Sequence, residues 1–247
     1  MRDYKIELEK RVEFIREALK SSGAKGIIYG NSGGKDCTLA AIIAKHACEN
    51  VLGVIMPCHS NVNYGQDRED ANKAAEQFGI EQMTVDISEA RTSLESAIRE
   101  NVDISADSLK NMAPRLRMTT LYTIAQTKGY LVLGTGNRSE MFMGYFTKWG
   151  DGGYDLNPIA DLTVREVYEF LRYLNAPESI IQKAPSAGLY EGQTDEKEMG
   201  FTYDEIDDFI LYGKGDEETK KKLERIYERT AHKRQMPMRY GYQEINQ

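Results

Sequence analysis

The sequence predicts an α/β chain: a doubly wound, mostly parallel sheet flanked by helices, with a small helical portion toward the C-terminal end. Two observations predict it. Short apolar runs alternate with amphipathic stretches, and the connections between runs are long enough to cross over and pair strands in parallel. Leu8, Val12, Ile15 and Leu19 make one apolar helical stripe, closed by Ser21-Ser22-Gly23. Gly26-Ile27-Ile28-Tyr29 reads as a buried strand, Gly30 to Gly34 as a flexible loop, and Leu39, Ile42, Ile43 and Ala47 as a helix face. A second strand, Val51 to Met56, stops at Pro57. Residues 67–78 are helical by their Ala71, Ala74, Ala75 and Phe78 face. Gln82 to Val85 is a short strand, 88–100 and 108–127 are helices, and Leu131-Val132-Leu133 is a strand ending at Gly134.

Beyond this point the character changes. Residues 134–158 are polar and Gly-rich, which predicts a long functional loop. Thr163-Val164-Arg165-Glu166 and Thr202-Tyr203-Asp204-Glu205 are capping boxes that open helices toward Leu174 and Tyr212. Residues 184–200 read as a second irregular loop, and Asp216 to Ala231 as a charged helix. With no repeat or low-complexity linker, one domain over 1–247 is expected, with a core at about 22–175 and C-terminal loop and helices at about 176–247.

Composition excludes several classes. The 247 residues carry a net charge of −7, so no global field draws the chain to nucleic acid or an anionic membrane. No apolar run approaches the roughly 18–20 residues of a bilayer span, and the charged N-terminus lacks the apolar core of a secretion signal. Three cysteines, Cys37, Cys48 and Cys58, form no C-x-x-C pair. They give zinc and iron–sulfur sites little support and fit a reducing cytoplasm.

Chemistry concentrates in Ser32-Gly33-Gly34-Lys35-Asp36-Cys37, between a buried strand and a helix start. Backbone N–H groups there lack intrahelical partners and the helix dipole favours an anion. Two glycines admit phosphate close to the backbone. Asp36 would repel phosphate unless a divalent cation, magnesium, lay between them. This is neither a Walker A loop, since Asp36 follows Lys35, nor a dinucleotide fingerprint; Gly134-Thr135-Gly136-Asn137-Arg138-Ser139 also lacks the third glycine.

The loop resembles the S-G-G-x-D-S signature of the N-type ATP pyrophosphatases, which split ATP between its α- and β-phosphates. Cys37 stands where that family usually has Ser; its backbone N–H still serves an anion. Further blocks are similar to those of the NAD synthetases: Asn111 to Met118 with Arg115 and Arg117, Leu133 to Glu140, Gly144 to Asp151, Asn157 to Leu162, Pro185-Ser186-Ala187, Gly200 to Asp207, and His232-Lys233-Arg234. They come in family order across residues 32–237.

The resemblance implies a Rossmann-like fold and amidation of deamido-NAD through an acyl-adenylate, with release of pyrophosphate and AMP. It points to ammonia as the nitrogen source, because the chain has no room for a glutaminase domain. It further implies ATP as co-substrate, Mg2+, a homodimer sharing the deamido-NAD site, and no nucleic acid or membrane partner. Ser32, Gly33, Gly34, Lys35, Asp36, Cys37 and Thr135 would bind ATP and pyrophosphate. Asp36, Glu140 and Ser186 would face the metal. Arg115, Lys148, Asp151, His232 and Lys233 would bind deamido-NAD, with Asp36, Lys148 and Asp151 as the catalytic set. Val164 stands where the family commonly has an ATP-contacting lysine, and the adjacent Arg165 is a candidate replacement. Two rival readings are a tRNA-thiolating enzyme and a non-catalytic ATP-binding sensor. The first calls for a basic surface and catalytic cysteines; the second needs no substrate blocks.

Overall fold

In the computed structural model, which describes residues 2–58, 64–182 and 195–240, strand and helix alternate through Val132 as the periodicity predicts. Helix α1 (Tyr4–Ser22) starts at Asp3, whose carboxylate accepts the Lys5 and Ile6 N–H groups, and ends at left-handed Gly23. There follow β1 (Gly26–Gly30), α2 (Lys35–Ala47), β2 (Val51–Ile55), α3 (Tyr64–Phe78), β3 (Glu81–Thr84), α4 (Ser88–Arg99), α5 (Ala106–Lys110), α6 (Met112–Lys128) and β4 (Tyr130–Val132). The helix expected over 108–127 is two helices meeting at Asn111. Pro114 explains the break: it has no N–H for the Lys110 carbonyl, and its ring would press on that group in a continuous helix.

The four strands lie in the order β3-β2-β1-β4, all parallel, with Ile28 opposite both Leu52 and Val132. Alternate residues of β1 serve opposite faces. Ile27 and Tyr29 pack in one cluster with Val12, Ile15, Ile42 and Phe170; Ile28 packs in another with Leu52, Leu121 and Ala125. Both faces are thus covered, as the apolar runs required. The strand order reverses between β1 and β4, where a doubly wound sheet opens a crevice at its carboxyl ends.

The expected long loop at 134–158 needs correction. It contains a helix, α7 (Arg138–Met143), opened by a capping box of Asn137 and Glu140. The remaining elements are α8 (Val164–Tyr173), α9 (Glu178–Ile181), α10 (Asp195–Met199), α11 (Tyr203–Tyr212), α12 (Glu217–Arg229) and α13 (Ala231–Arg234). Helices α8 and α11 begin at the Thr163 and Thr202 boxes read from sequence. Of the irregular stretch expected at 184–200, residues 184–194 lie outside the described residues and the rest includes α10. The C-terminal helices share an apolar cluster of Met143, Val164, Tyr203, Ile206 and Leu223. No helix among the described residues is long and apolar enough to cross a membrane.

A charge network ties α1 to the segment leaving the sheet. Arg11 grips Asp161 at 2.6 and 3.0 Å, and Arg2 adds a third contact at 3.0 Å. Burial opposes the charge of Asp161, but Arg11 and Arg2 outweigh it and hold the carboxyl below its usual range. A depressed carboxyl contributes stability above the ordinary carboxylate pKa and loses it as pH falls through its folded value. Asp161→Asn is therefore expected to lower Tm at about pH 7 and to converge on the parent only as pH falls through the depressed folded value of the carboxyl, measured by circular dichroism.

Candidate active site

The loop leaving β1 is built to present backbone donors. The Asn31 N–H donates to Val54 O at 2.9 Å, anchoring the loop to β2. Asn31 Oδ1 accepts the Gly33 N–H at 3.1 Å, and Ser32 Oγ accepts the Gly34 N–H at 3.3 Å. Gly33 sits at φ 71°, a left-handed turn that disfavours any side chain. The first intrahelical bond of α2 runs from the Thr38 N–H to Gly34 O at 3.1 Å. The Lys35, Asp36 and Cys37 N–H groups therefore stand open at the helix start. The Cys37 thiol turns back into the loop, donating to Gly34 O at 3.2 Å, so the backbone N–H is what this residue offers an anion.

The second wall comes from the end of β4. Gly134 must be glycine, because a Cβ would lie 2.6 Å from the Tyr154 ring. Thr135 follows on the cavity wall. Asn137 then does two jobs. Its Oδ1 accepts the Glu140 N–H at 3.0 Å to open α7, and its Nδ2 donates to Asp36 Oδ1 at 3.0 Å. Glu140 Oε2 returns to the Asn137 N–H at 3.1 Å. One asparagine thus brings Asp36 and Glu140 together from opposite walls of the crevice. Burial, and then the charge of Asp36, push Glu140 well above the usual carboxylate range, with Lys35 opposing. Lys35 Nζ bonds Asp36 Oδ2 at 2.8 Å. Burial opposes its charge, but Asp36 and Glu140 outweigh burial and hold the ammonium protonated. The Tyr203 hydroxyl, bonded to buried Asp195 at 3.0 Å, closes this end.

The oxygen pair suits a hard divalent cation. Among the described residues no group of three or more His, Cys, Asp and Glu is placed to hold a metal. Two carboxylates are nonetheless enough for magnesium, which takes its remaining ligands from phosphate and water.

The five residues expected to bind the second substrate form a connected group at the other end. Arg115 Nε donates to Lys148 O at 3.4 Å, and Lys148 Nζ donates to His232 O at 2.5 Å. Lys233 Nζ donates to the Gly144 and Phe146 carbonyls, each at 2.7 Å. Asp151 Oδ1 accepts the Thr147 N–H at 2.9 Å, and the Thr147 hydroxyl bonds Asn111 Oδ1 at 2.6 Å. Asp151 and Lys233 line the cavity; Arg115, Lys148 and His232 are not on its wall and join the group through the bonds just given. Burial lowers the Lys233 pKa against the pull of Asp151. Both ends open into one cavity of about 590 Å3, within the usual range for a small-molecule site.

Arg165 does not take the place of the missing lysine. It bonds Asp208 at 2.9 Å and Asp204 at 3.0 Å on α11 and is absent from the cavity wall, while Val164 is packed in the apolar cluster. Ser186 lies outside the described residues. Sequence reasoning gave no role to Asn137, Asp195 or Arg117. Arg117 lines the cavity, with Nε donating to Met56 O at 3.3 Å. The Asn137-x-x-Glu140 spacing was the available signal for the first of these.

Fold and site together define a nucleotide-dependent α/β enzyme, with phosphate donors and a carboxylate pair at the reversal point of a parallel sheet. The sequence model of the NAD synthase family matches residues 7–237, and the chain belongs to that family. It is 47% identical over 232 residues to the NH3-dependent NAD+ synthetase of Carboxydothermus hydrogenoformans, covering 93% of this chain and 94% of the relative. A solved NMN synthetase from Francisella tularensis superposes with a TM-score of 0.92 at 35% identity, covering 98% of this chain and all of that one. An NH3-dependent NAD synthetase from Campylobacter jejuni, solved with nitrate, gives 0.80 at 30% identity, covering 96% and 99%. Family membership makes the chain an enzyme of the ligase class with ATP as co-substrate.

Proposed function

We propose that the chain makes NAD from deamido-NAD, ammonia and ATP. The observation that carries this reading is the Asp36–Glu140 pair, joined through Asn137 beside the open N–H groups of Lys35, Asp36 and Cys37. In the first step a nicotinate carboxylate oxygen attacks the α-phosphorus. The bond from that phosphorus to the bridging oxygen breaks, and pyrophosphate leaves onto the loop donors. Ammonia then attacks the acyl carbon, AMP departs, and the excess proton passes to solvent. No enzyme nucleophile is needed, so the side chains position and neutralise. Lys148, Lys233 and Arg115 place positive charge where the acid substrate enters. Asp151 fixes the 147–151 turn and lines the cavity that would receive the acid substrate. Asp36 and Glu140 would hold Mg2+, which supplies charge neutralisation for the leaving pyrophosphate.

The free cysteines fit a cytoplasmic setting; the homodimer is carried by the family resemblance alone, with α6 proposed as its contact element. A second reading has a specific observation behind it: the fit to the NMN synthetase, at 0.92, exceeds the fit to the Campylobacter NAD synthetase, at 0.80. On that reading the mononucleotide acid would be the acceptor.

Product analysis with Mg-ATP, ammonium and either deamido-NAD or nicotinate mononucleotide tests both. The expected result is NAD, AMP and pyrophosphate in equal amounts from the dinucleotide. Preferential amidation of the mononucleotide would move the assignment to the second reading. AMP and pyrophosphate without an amide would overturn both.

A further inference from the structure

Lys35 is only 7% exposed, yet its ammonium is turned inward among acids and aromatic rings. Nζ lies 2.8 Å from Asp36 Oδ2. The rings of Tyr168 and Tyr203 face it, with centroids at 5.9 and 5.5 Å. An acid partner and aromatic faces together make a cage for a monovalent cation. Asp36 is read above, with Glu140, as a ligand of a divalent cation. An ammonium and a divalent ion repel strongly at such range in a partly desolvated site, so the two compete for Asp36.

We propose that Lys35 is a tethered counter-ion for Asp36, occupying its carboxylate in the absence of nucleotide and keeping a free divalent cation out. The cation enters with the nucleotide, whose phosphate oxygens complete its ligand set and draw the ammonium off Asp36. Lysine suits this exchange: a compact charge on a flexible stem can move between two sets of oxygens, where a planar fork would stay locked. Val164, packed among apolar side chains, brings no second cation to the pair. Lys35 is in this sense a positioning residue, and the proposal rests on Asp36 and Glu140 being the metal ligands.

The test is binding of Mn2+ alone, without nucleotide, followed by the electron paramagnetic resonance signal of the free ion. K35Q is expected to bind Mn2+ at least about tenfold tighter than the parent, because the competing charge is gone. K35R, which keeps the charge, is expected to show no gain. Adding D36N to K35Q is expected to abolish the gain. If K35Q does not fold, judged by circular dichroism, K35M preserves the stem beneath the tyrosine rings and gives the same comparison. Equal or weaker Mn2+ binding by K35Q, with D36N still weakening it further, would overturn the counter-ion and leave the ligand reading intact. Mn2+ binding by K35Q that is indifferent to D36N would overturn both.

Discussion

Asp36→Asn is expected to cut pyrophosphate release by about 10³-fold or more while Tm moves by only a few degrees. The substitution keeps the shape and leaves Asn137 a carbonyl oxygen to bond, so the crevice walls stay joined. What it removes is the charge that faces Glu140 and holds Lys35. Leaving-group stabilisation then lacks one of its two proposed acidic metal ligands. Single-turnover release of pyrophosphate, with deamido-NAD saturating, separates this from a binding effect. Activity within tenfold of the parent would remove Asp36 from the centre of the mechanism.

Asp207→Ala is expected to destabilise the fold by about 3 kcal/mol, lowering Tm by roughly 6–12 °C for a chain of this size. Asp207 is 1% exposed. Its Oδ1 accepts the Ser139 hydroxyl at 2.5 Å and its Oδ2 accepts the Arg165 N–H at 2.8 Å. Ser139 Oγ in turn accepts the Val164 N–H at 3.2 Å. One carboxylate therefore serves the start of α8 directly and, through Ser139, ties it to α7. Alanine would leave a buried hydroxyl and a buried N–H without partners. Because α7 carries Glu140, residual activity should fall before global unfolding. Thermal melts and activity measured across the same temperature range check this; coincident curves would place Asp207 in stability alone.

The sequence was most legible where a signal is local. Thr163 and Thr202 announce their helices because the hydroxyl and the glutamate three residues on satisfy each other's backbone donors. Asn137 and Glu140 do the same, yet the surrounding glycines and the brevity of α7 made that stretch read as loop. The phosphate loop was legible from Gly33 and Gly34. The hydrogen bond from Asn137 to Asp36 was not, since it joins residues 101 apart, and no local pattern encodes such a meeting. Arg165 shows the opposite failure. Adjacency to Val164 made it a candidate for the phosphates, whereas two acids on α11, distant in sequence, claimed it. The grouping of Arg115, Lys148, His232, Lys233 and Asp151 was legible only as shared block positions; the carbonyls that join them are a product of the fold.

The pairing of β1 with β4 has a consequence for the chain's own synthesis. β1 finds β2 across a short crossover, but it meets β4 only after four further helices, α3 to α6, and strand β3 have been made. Until Ile28 lies opposite Val132, Asp36 has no Glu140 beside it. Closure of so long a loop comes late and at an entropic cost. On the roles proposed for Asp36 and Glu140, an incomplete chain therefore carries a phosphate loop without its acidic partner. The acidic pair proposed to hold the metal is thus assembled by the same contact that completes the sheet.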